Sequence, residues 1–506
     1  MSFPPEEVHA RFEALQAKLG RLWASIGRTD PGGAPQEVNT IVVVPSMTLD
    51  KEYRPAVQQL LEERFLFMLF LLRQPGIRLV YVSSQPVAPR VVDYYLELLD
   101  GVDLGAARER LVFISPEDTT PTPLTMKLLE RPDVIEEIRG AILDLDRAHV
   151  VPYNTTVFER ELAVSLGIPM YAADPRFFAF GGKSGCRRLF AEEGVRHPLG
   201  FENLYDVEDV VRAVAGLRAA RPSMRGAIVK LNNEVSGSGN ALLDLERLPP
   251  PGDPREPAAI AERLHSMRFA KNVDYASYVS RLQKAGAIVE ELIEGDALES
   301  PSVQLRVTPL GEVQLLSTHD QILGGSHGQA YIGCRFPADP AYGPAIVRES
   351  AKIGARLARE GVVGRFGIDF VVVRSASGVW EPFAIEVNLR KGGTTAPFLT
   401  LQYLTDGDYD PETGIFRTRR GQPKYYVATD HLESPAYCAL QPRDLVTIMR
   451  RHGLHFDHDR ETGVVLHMWS AVAELGRLGL TAIADTPADA DALYARAVAA
   501  LDEAVR

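Results

Sequence analysis

Cysteine is scarce. Cys186, Cys334 and Cys438 stand far apart, with no C-x-x-C spacing, which excludes a disulfide framework and a zinc knuckle and predicts reduced structural thiols. Long apolar runs are missing too: the longest, Phe65 to Leu72, is fenced by Arg64 and Arg73 and falls far short of the roughly 20 residues a bilayer span needs. The N-terminus, MSFPPEEVHARFEALQ, has acids where a secretory signal has bases, so a cytosolic protein is expected, with no membrane partner. Positive charge is in deficit, 55 Lys and Arg against 67 Asp and Glu, a net charge of −12 that argues against nucleic acid as a principal partner. Two catalytic signatures are also absent. The one G-x-S-x-G spacing, Gly324 to Gly328, is followed by no helical stretch and so makes no nucleophile elbow, and no G-x-G-x-x-G follows the early strands, so hydrolase and dinucleotide-dehydrogenase readings drop away.

What remains is an ordinary globular composition, 45% hydrophobic and 24% charged, in a chain of 506 residues, long enough for two to four packed units. Residues 1–38 read as a helical arm, about Glu6 to Trp23, and a Gly/Pro linker. Between 39 and 176, IVVVPS, IRLVYVSS, RLVFIS and HVVPY alternate with helical stretches (Pro55 to Leu72, Val134 to Leu143, Val157 to Leu166), the pattern of a parallel α/β sheet. Beyond 177 the texture changes. AIVKLN and ALLDL flank a loop too short for a crossover, and AIVEELIEG, SVQLRVTP, EVQLLSTHDQIL, GRFGIDFVVVRS and EPFAIEVNLR follow as strands of a largely antiparallel unit.

The strongest chemical signal lies there. Glu386 and Asn388 are two apart on one strand and share a face, and a hairpin return can set Asp369 beside them, giving three oxygen donors for Mg²⁺ inside otherwise apolar strands. Arg390 and Lys391 follow, then Gly392 to Thr395: cations and backbone N–H groups suited to a transferring phosphoryl group or an oxyanion. Lys230 sits inside an apolar strand just before Ser236, Gly237, Ser238, Gly239 and Asn240. A Lys seldom stays buried there without an anion, although a Gly-rich turn alone proves nothing. Lys183 sits within a G-K-S run, the ending of a Walker A loop, but Phe177 occupies the place of the first Walker A glycine, so only a Gly-rich helix start remains. Glu290, Glu291, Leu292 and Ile293 form a strand end that could hold a flat base or serve as a solvated hinge. His455, Asp457 and His458 read as a polar turn; His319 and Asp320 could reach substrate.

In this order, Lys183, Lys230 with SGSGN, VEELIEG, and Asp369 with Glu386-Val-Asn388 resemble the ATP-grasp superfamily. NTTVFERELAVSLGIPMYAADP running into GGKSGCRRLFAEEGVRHPLG, and IEVNLRKGGTTAPFL, look most like its pheganomycin-type peptide ligases, which are carboxylate-amine ligases. The resemblance implies a parallel pre-ATP-grasp α/β domain (39–176), a two-lobed ATP-grasp core with antiparallel sheets (177–400, lid lobe about 200–293) and a C-terminal α+β cap (401–506). It implies that Lys183 and Lys230 hold ATP phosphates under the SGSGN lid and that Glu290 to Ile293 bind adenine. Asp369, Glu386 and Asn388 would hold two Mg²⁺ ions, or Mn²⁺ in their place, and Arg390 and Lys391 would serve catalysis. No acid stands clearly at the spacing for ribose, neither Glu294 nor Glu299. The activity implied is ATP-dependent amide formation between a small-molecule carboxylate and an amine, amino acids or peptides, through an acyl-phosphate, with a homodimer left open. Phosphorylation or thioester formation, or nucleotide sensing without turnover, are the alternatives.

Overall fold

The computed structural model describes residues 4–26, 38–48, 55–233, 239–269, 273–295, 297–324 and 330–506. The first sheet comprises β1 (Asn39–Val44), β2 (Ile77–Val82), β3 (Leu111–Ile114) and β4 (Ala148–Pro152), all parallel, in the order β3-β2-β1-β4. Its strands are apolar on both faces because both are covered: Ile41 and Val43 enter one core, Val42 and Val44 another. On the second side pack Val8 and Phe12 of the helix Pro5–Ile26 and Leu162 of the helix Val157–Leu166.

The apolar stretch expected as one helix from Pro55 to Leu72 is two elements, an α-helix Pro55–Glu63 and a 3-10 helix Arg64–Arg73. The second has no solvent side. Phe65, Leu66, Leu69 and Phe70 are buried in one core with Phe398, Tyr426 and Leu480 from the far end of the chain, which explains an apolar run without helical periodicity.

A second sheet contains β5 (Gly200–Leu204), β6 (Gly226–Leu231), β7 (Asn240–Asp244), β8 (Arg268–Phe269) and β9 (Ala287–Glu291), antiparallel in the order β5-β9-β6-β7-β8. Its apolar face packs on the helices Val207–Ala220, Glu256–Leu264 and Tyr275–Ala285. The expected β6/β7 hairpin is present, with Lys230 opposite Asn240.

The largest sheet runs β10 (Leu298–Glu299), β14 (Gly364–Arg374), β11 (Pro301–Val307), β12 (Val313–Gly324), β13 (Ala330–Phe336), β18 (Tyr425–Glu433), β20 (Arg477–Ala484), β19 (Gly463–His467), with β15 (Trp380–Asn388) also on β14. A small hairpin, β16 (Asp408–Asp410) and β17 (Ile415–Arg417), stands apart. The later strands β18, β20 and β19 therefore continue the same sheet through the β13–β18 pair. The helix Gly343–Glu360 covers the face of β11 and β14 through Ile346, Ile353 and Leu357. Among the described residues no helix is long and apolar enough to cross a membrane, and all three cysteines are free.

Candidate functional site

A cavity of about 640 Å³ opens between the second and third sheets and the C-terminal edge of the first. Lys183, Lys230, Asn240, Glu290 to Ile293, Asp369, Glu386, Asn388 and Arg390 all line it.

The two carboxylates meet through strand register. β14 and β15 pair with Asp369 opposite Glu386 and Gly367 opposite Asn388, so all three candidate metal donors face the cavity from one patch. Gly367 has a steric reason: a Cβ there would lie 2.7 Å from Gln304 Nε2, and Gln304 occupies that space. Asp369 accepts hydrogen bonds from Gln321 Nε2 and from Asn388 Nδ2, each at 2.9 Å. Burial first, and then the charge of Glu386, push its carboxyl up to about 7, against the opposing pull of Arg390. Two acids held this close in a desolvated wall fit a divalent cation, which would neutralise both. Lys183 Nζ lies 3.4 Å from Glu386 Oε1.

Lys183 is carried by the helix Lys183–Glu192, whose start is tied down by Asn232 just beyond β6. Asn232 Oδ1 accepts from Ser184 N at 3.1 Å and from Ser184 Oγ at 2.8 Å, and its backbone oxygen accepts from Lys183 N at 3.3 Å. Gly185 is required in this turn, because a Cβ would fall 1.6 Å from Ala179 O. Lys230 projects from β6 onto Glu290 of neighbouring β9, to which it is ion-paired, and Arg187 Nη1 reaches the other oxygen of Glu290 at 3.1 Å. Glu291 is likewise engaged, by Leu199 N at 2.8 Å and by Arg221. Leu292 N donates to Gly226 O at 3.2 Å, and the apolar side chains of Leu292 and Ile293 line the cavity beside Ile228 and Phe370. In the lid run, Gly239 O accepts from Leu231 N and from Tyr278 Oη, at 3.1 and 2.9 Å; Ser236, Gly237 and Ser238 lie outside the described residues.

Several expectations change. Lys391 is not in the cavity wall: its side chain is buried, with Nζ donating to Pro152 O at 2.6 Å and lying 5.9 Å from the centre of the Phe65 ring. Past the end of β15 the two side chains part, Arg390 lining the cavity and Lys391 turning away from it. His319 is enclosed in the sheet, Nε2 2.8 Å from Tyr426 Oη, and burial pushes it down to about 3. Asp320 accepts from Tyr342 Oη and Asp339 N, at 2.8 and 2.9 Å, and neither residue lines the cavity. Asp457 pairs with Arg460 at 3.0 Å, and Glu294 lies 3.7 Å from Arg225.

The cavity also has lining residues that sequence reasoning missed: Ser302, Gln304 and Gln321 around the acids, and Arg64, Tyr153, Asp430, His431 and Arg477 on another stretch of wall. A polar residue inside an apolar strand, as Gln321 and Asp430 are, was the available signal.

Comparison with known proteins was made on this background. The family model described as IQCH-like, ATP-grasp matches residues 177–251 and 255–412, and the PGM1 C-terminal domain model matches 444–497. The L-propargylglycine–L-glutamate ligase of Streptantibioticus cattleyicolor is 34% identical over 87% of this chain and 88% of its own. The IQ motif-containing protein H of Danio rerio is 22% identical over 81% of this chain, which spans 42% of that protein. Among solved structures, an N5-carboxyaminoimidazole ribonucleotide synthetase in complex with ADP shares the fold at a TM-score of 0.52 and 12% identity, covering 92% of this chain and 98% of that one. Biotin carboxylase from Campylobacter jejuni does so at 0.52 and 12%, covering 90% of each. Similarity to a ligase along nearly the whole of both chains, on a fold shared with nucleotide-bound synthetases, makes this chain a member of the ATP-grasp superfamily, in its pheganomycin-type branch of ATP-dependent carboxylate-amine ligases.

Proposed function

We propose that the two joined substrates are amino acids or short peptides and that the reaction runs through an acyl-phosphate with release of ADP. The observation that carries this is the in-register Asp369–Glu386 pair beside Lys183, in a cavity roomy enough for nucleotide and substrate together. The relative's own substrates, L-propargylglycine and L-glutamate, favour amino acids on both sides of the new bond.

In this reading Asp369, Glu386 and Asn388 would hold Mg²⁺, two ions, which supply charge to the phosphoryl group in transfer. Lys183 and Lys230 would bind the phosphates, the backbone at Glu290 to Ile293 and the apolar walls of Leu292 and Ile293 the adenine. Arg390 would hold the reacting carboxylate. One of its oxygens attacks the γ-phosphorus, ADP leaves, and the charges of Lys183, Lys230 and Arg390 offset the negative charge that builds up. The amine, having lost a proton, then attacks the acyl carbon, and phosphate leaves. Water must be kept out between the two steps. Such chemistry belongs in the cytosol, where ATP is abundant and the three thiols stay reduced.

The test is an ADP-release screen with pairs of L-amino acids, L-glutamate and small apolar residues first, followed by product mass. A product lighter by one water than the summed substrates is expected. AMP with pyrophosphate would overturn the acyl-phosphate route; ADP with no amide would point to a kinase or thioester former, and no nucleotide turnover to a sensor.

A further inference from the structure

We infer that Gln304 and Ser302, two uncharged polar residues on the cavity face of β11, form the seat of the attacking amine. This rests on the ligase reading above, which gives the nucleotide, the metal and the reacting carboxylate their groups and leaves the amine without any.

Register fixes where the seat lies. Ser302 stands opposite Asp369 on β14 and opposite His319 on β12, and Gln304 stands opposite Gly367. Opposed residues share a face, so Ser302, Asp369 and Glu386 make one row across three strands, and Gln304, Gly367 and Asn388 make the next. Lys183 closes on the Glu386 end of the first row. The seat is at the other end, one strand spacing of about 5 Å from Asp369 and two, about 10 Å, from Glu386. That is where a nucleophile belongs, beside an acyl group held at the metal and away from the phosphates. Gly367 opens the way for Gln304: with no Cβ on β14 to meet, the amide lies over the glycine, where a Cβ would be 2.7 Å from its Nε2 and 3.6 Å from its Oε1.

Both side chains line the cavity, and both are buried, Gln304 at 8% exposure and Ser302 at 1%. Among the described residues Ser302 Oγ has no hydrogen-bond partner, and no hydrogen bond holds the Gln304 amide. Buried polar groups are almost always bonded, so two neighbouring exceptions on a cavity floor call for a ligand that completes them. Charge decides which ligand. Ser302, Gln304 and Gln321 carry none, and burial keeps His319 neutral. A phosphate or carboxylate is drawn to Lys183, Lys230 or Arg390, and a cation to Asp369 and Glu386. The reactant that has to be uncharged is the amine, because only the free base has an electron pair for the acyl carbon. Amide and hydroxyl oxygens accept its two N–H groups, and desolvation against an uncharged wall favours it over the ammonium form.

The full chain with Mg-ATP is given each protein L-amino acid as donor, and as acceptor either excess hydroxylamine or a panel of L-amino acids and dipeptides. Hydroxylamine takes the acyl group from an acyl-phosphate: its nitrogen bonds the acyl carbon, the C–O bond to phosphate breaks, and phosphate leaves with the proton. At high concentration it needs no built seat. Gln304→Leu should therefore go on forming hydroxamate with the same KM for ATP, while its KM for the amino-acid acceptor rises about 10-fold; Ser302→Ala should raise that KM about 5-fold. The Mg²⁺ concentration giving half-maximal turnover should not move in either variant. Equal loss of hydroxamate and amide in Gln304→Leu, or a shifted Mg²⁺ midpoint with the acceptor KM unchanged, would put Gln304 at the metal and overturn the inference. Variants that lose only melting temperature would overturn it too. Hydroxamate without amide from any acceptor, in the unmutated protein, counts against an amine seat alone, whereas absence of both products would remove the ligase reading and the seat with it.

Discussion

Lys230 and Glu290 sit on adjacent antiparallel strands and are ion-paired in the cavity wall, with Arg187 closing on the same carboxylate from the helix Lys183–Glu192. The acid at this strand end is thus committed to fixing two cations, and the chain leaving β9 lines the cavity with Leu292 and Ile293. Glu290→Gln leaves both buried cations short of charge, a change that costs about 3 kcal/mol in comparable sites. Thermal unfolding should show a clear loss, with ATP affinity reduced in parallel. Lys230→Ala keeps the Arg187–Glu290 pair, so it should affect ATP binding far more than melting. Equal ATP affinity in Lys230→Ala, measured by titration, would contradict a phosphate role.

Glu386→Gln preserves shape and removes one charge from the candidate metal pair. Turnover should fall on the order of 10²-fold, about 3 kcal/mol of lost transition-state stabilisation. Unchanged turnover at saturating Mg²⁺ would make Glu386 an ordinary strand residue.

These acids were readable in the sequence because their geometry is local: an E-x-N pair on one strand and a hairpin partner suffice to gather them. Arg64 and Asp430 are far apart in sequence, and only the β13–β18 junction brings the C-terminal strands under the 3-10 helix, so nothing in either segment announces their pairing. In β13, AYIGCRF, a glycine interrupts the apolar run and blurs the strand pattern; Gly333 is there because a Cβ would meet Ala428 O at 2.4 Å on β18. Lys391 was misread for the opposite reason. Sequence adjacency to Arg390 suggested a shared role, whereas the chain direction after β15 sends the two side chains to different places.

Gln321 supports Asp369 from the next strand but one, and its removal should loosen the metal site without deleting a ligand. For Gln321→Leu, the Mg²⁺ concentration giving half-maximal turnover should rise about 10-fold, the usual cost of losing such a partner. A Mg²⁺ titration at fixed ATP reads this directly, and an unaltered midpoint would show that Asn388 alone orients Asp369.

Lys391 has a pH signature. Burial, and next the nearby Arg365, push its ammonium down to about 7 from an ordinary value of 10.5. Below pH 7 it is charged in both states and its burial destabilises the fold. Between 7 and 10.5 the unfolded chain holds more protons than the folded one, so stability rises with pH through that window. Lys391→Met removes this term. Its stability relative to the unmutated chain should be most favourable near pH 6 and decline by about pH 9 in denaturant titrations. Turnover should survive this change, whereas Arg390→Gln should abolish it. Loss of turnover in Lys391→Met, with the fold intact, would return Lys391 to the catalytic set.

The unbroken pairing of β13 with β18 has a consequence for how this chain can be divided. The nucleotide-handling family match ends at 412, yet a fragment stopping there would strip β13 of its neighbour and leave a row of bare N–H and C=O groups. It would also uncover Phe336, which stacks on Tyr426 with ring centres 4.8 Å apart. Such an edge invites other chains to add to it, so the fragment should aggregate rather than work as a portable module. The last hundred residues are inherited with the rest or not at all.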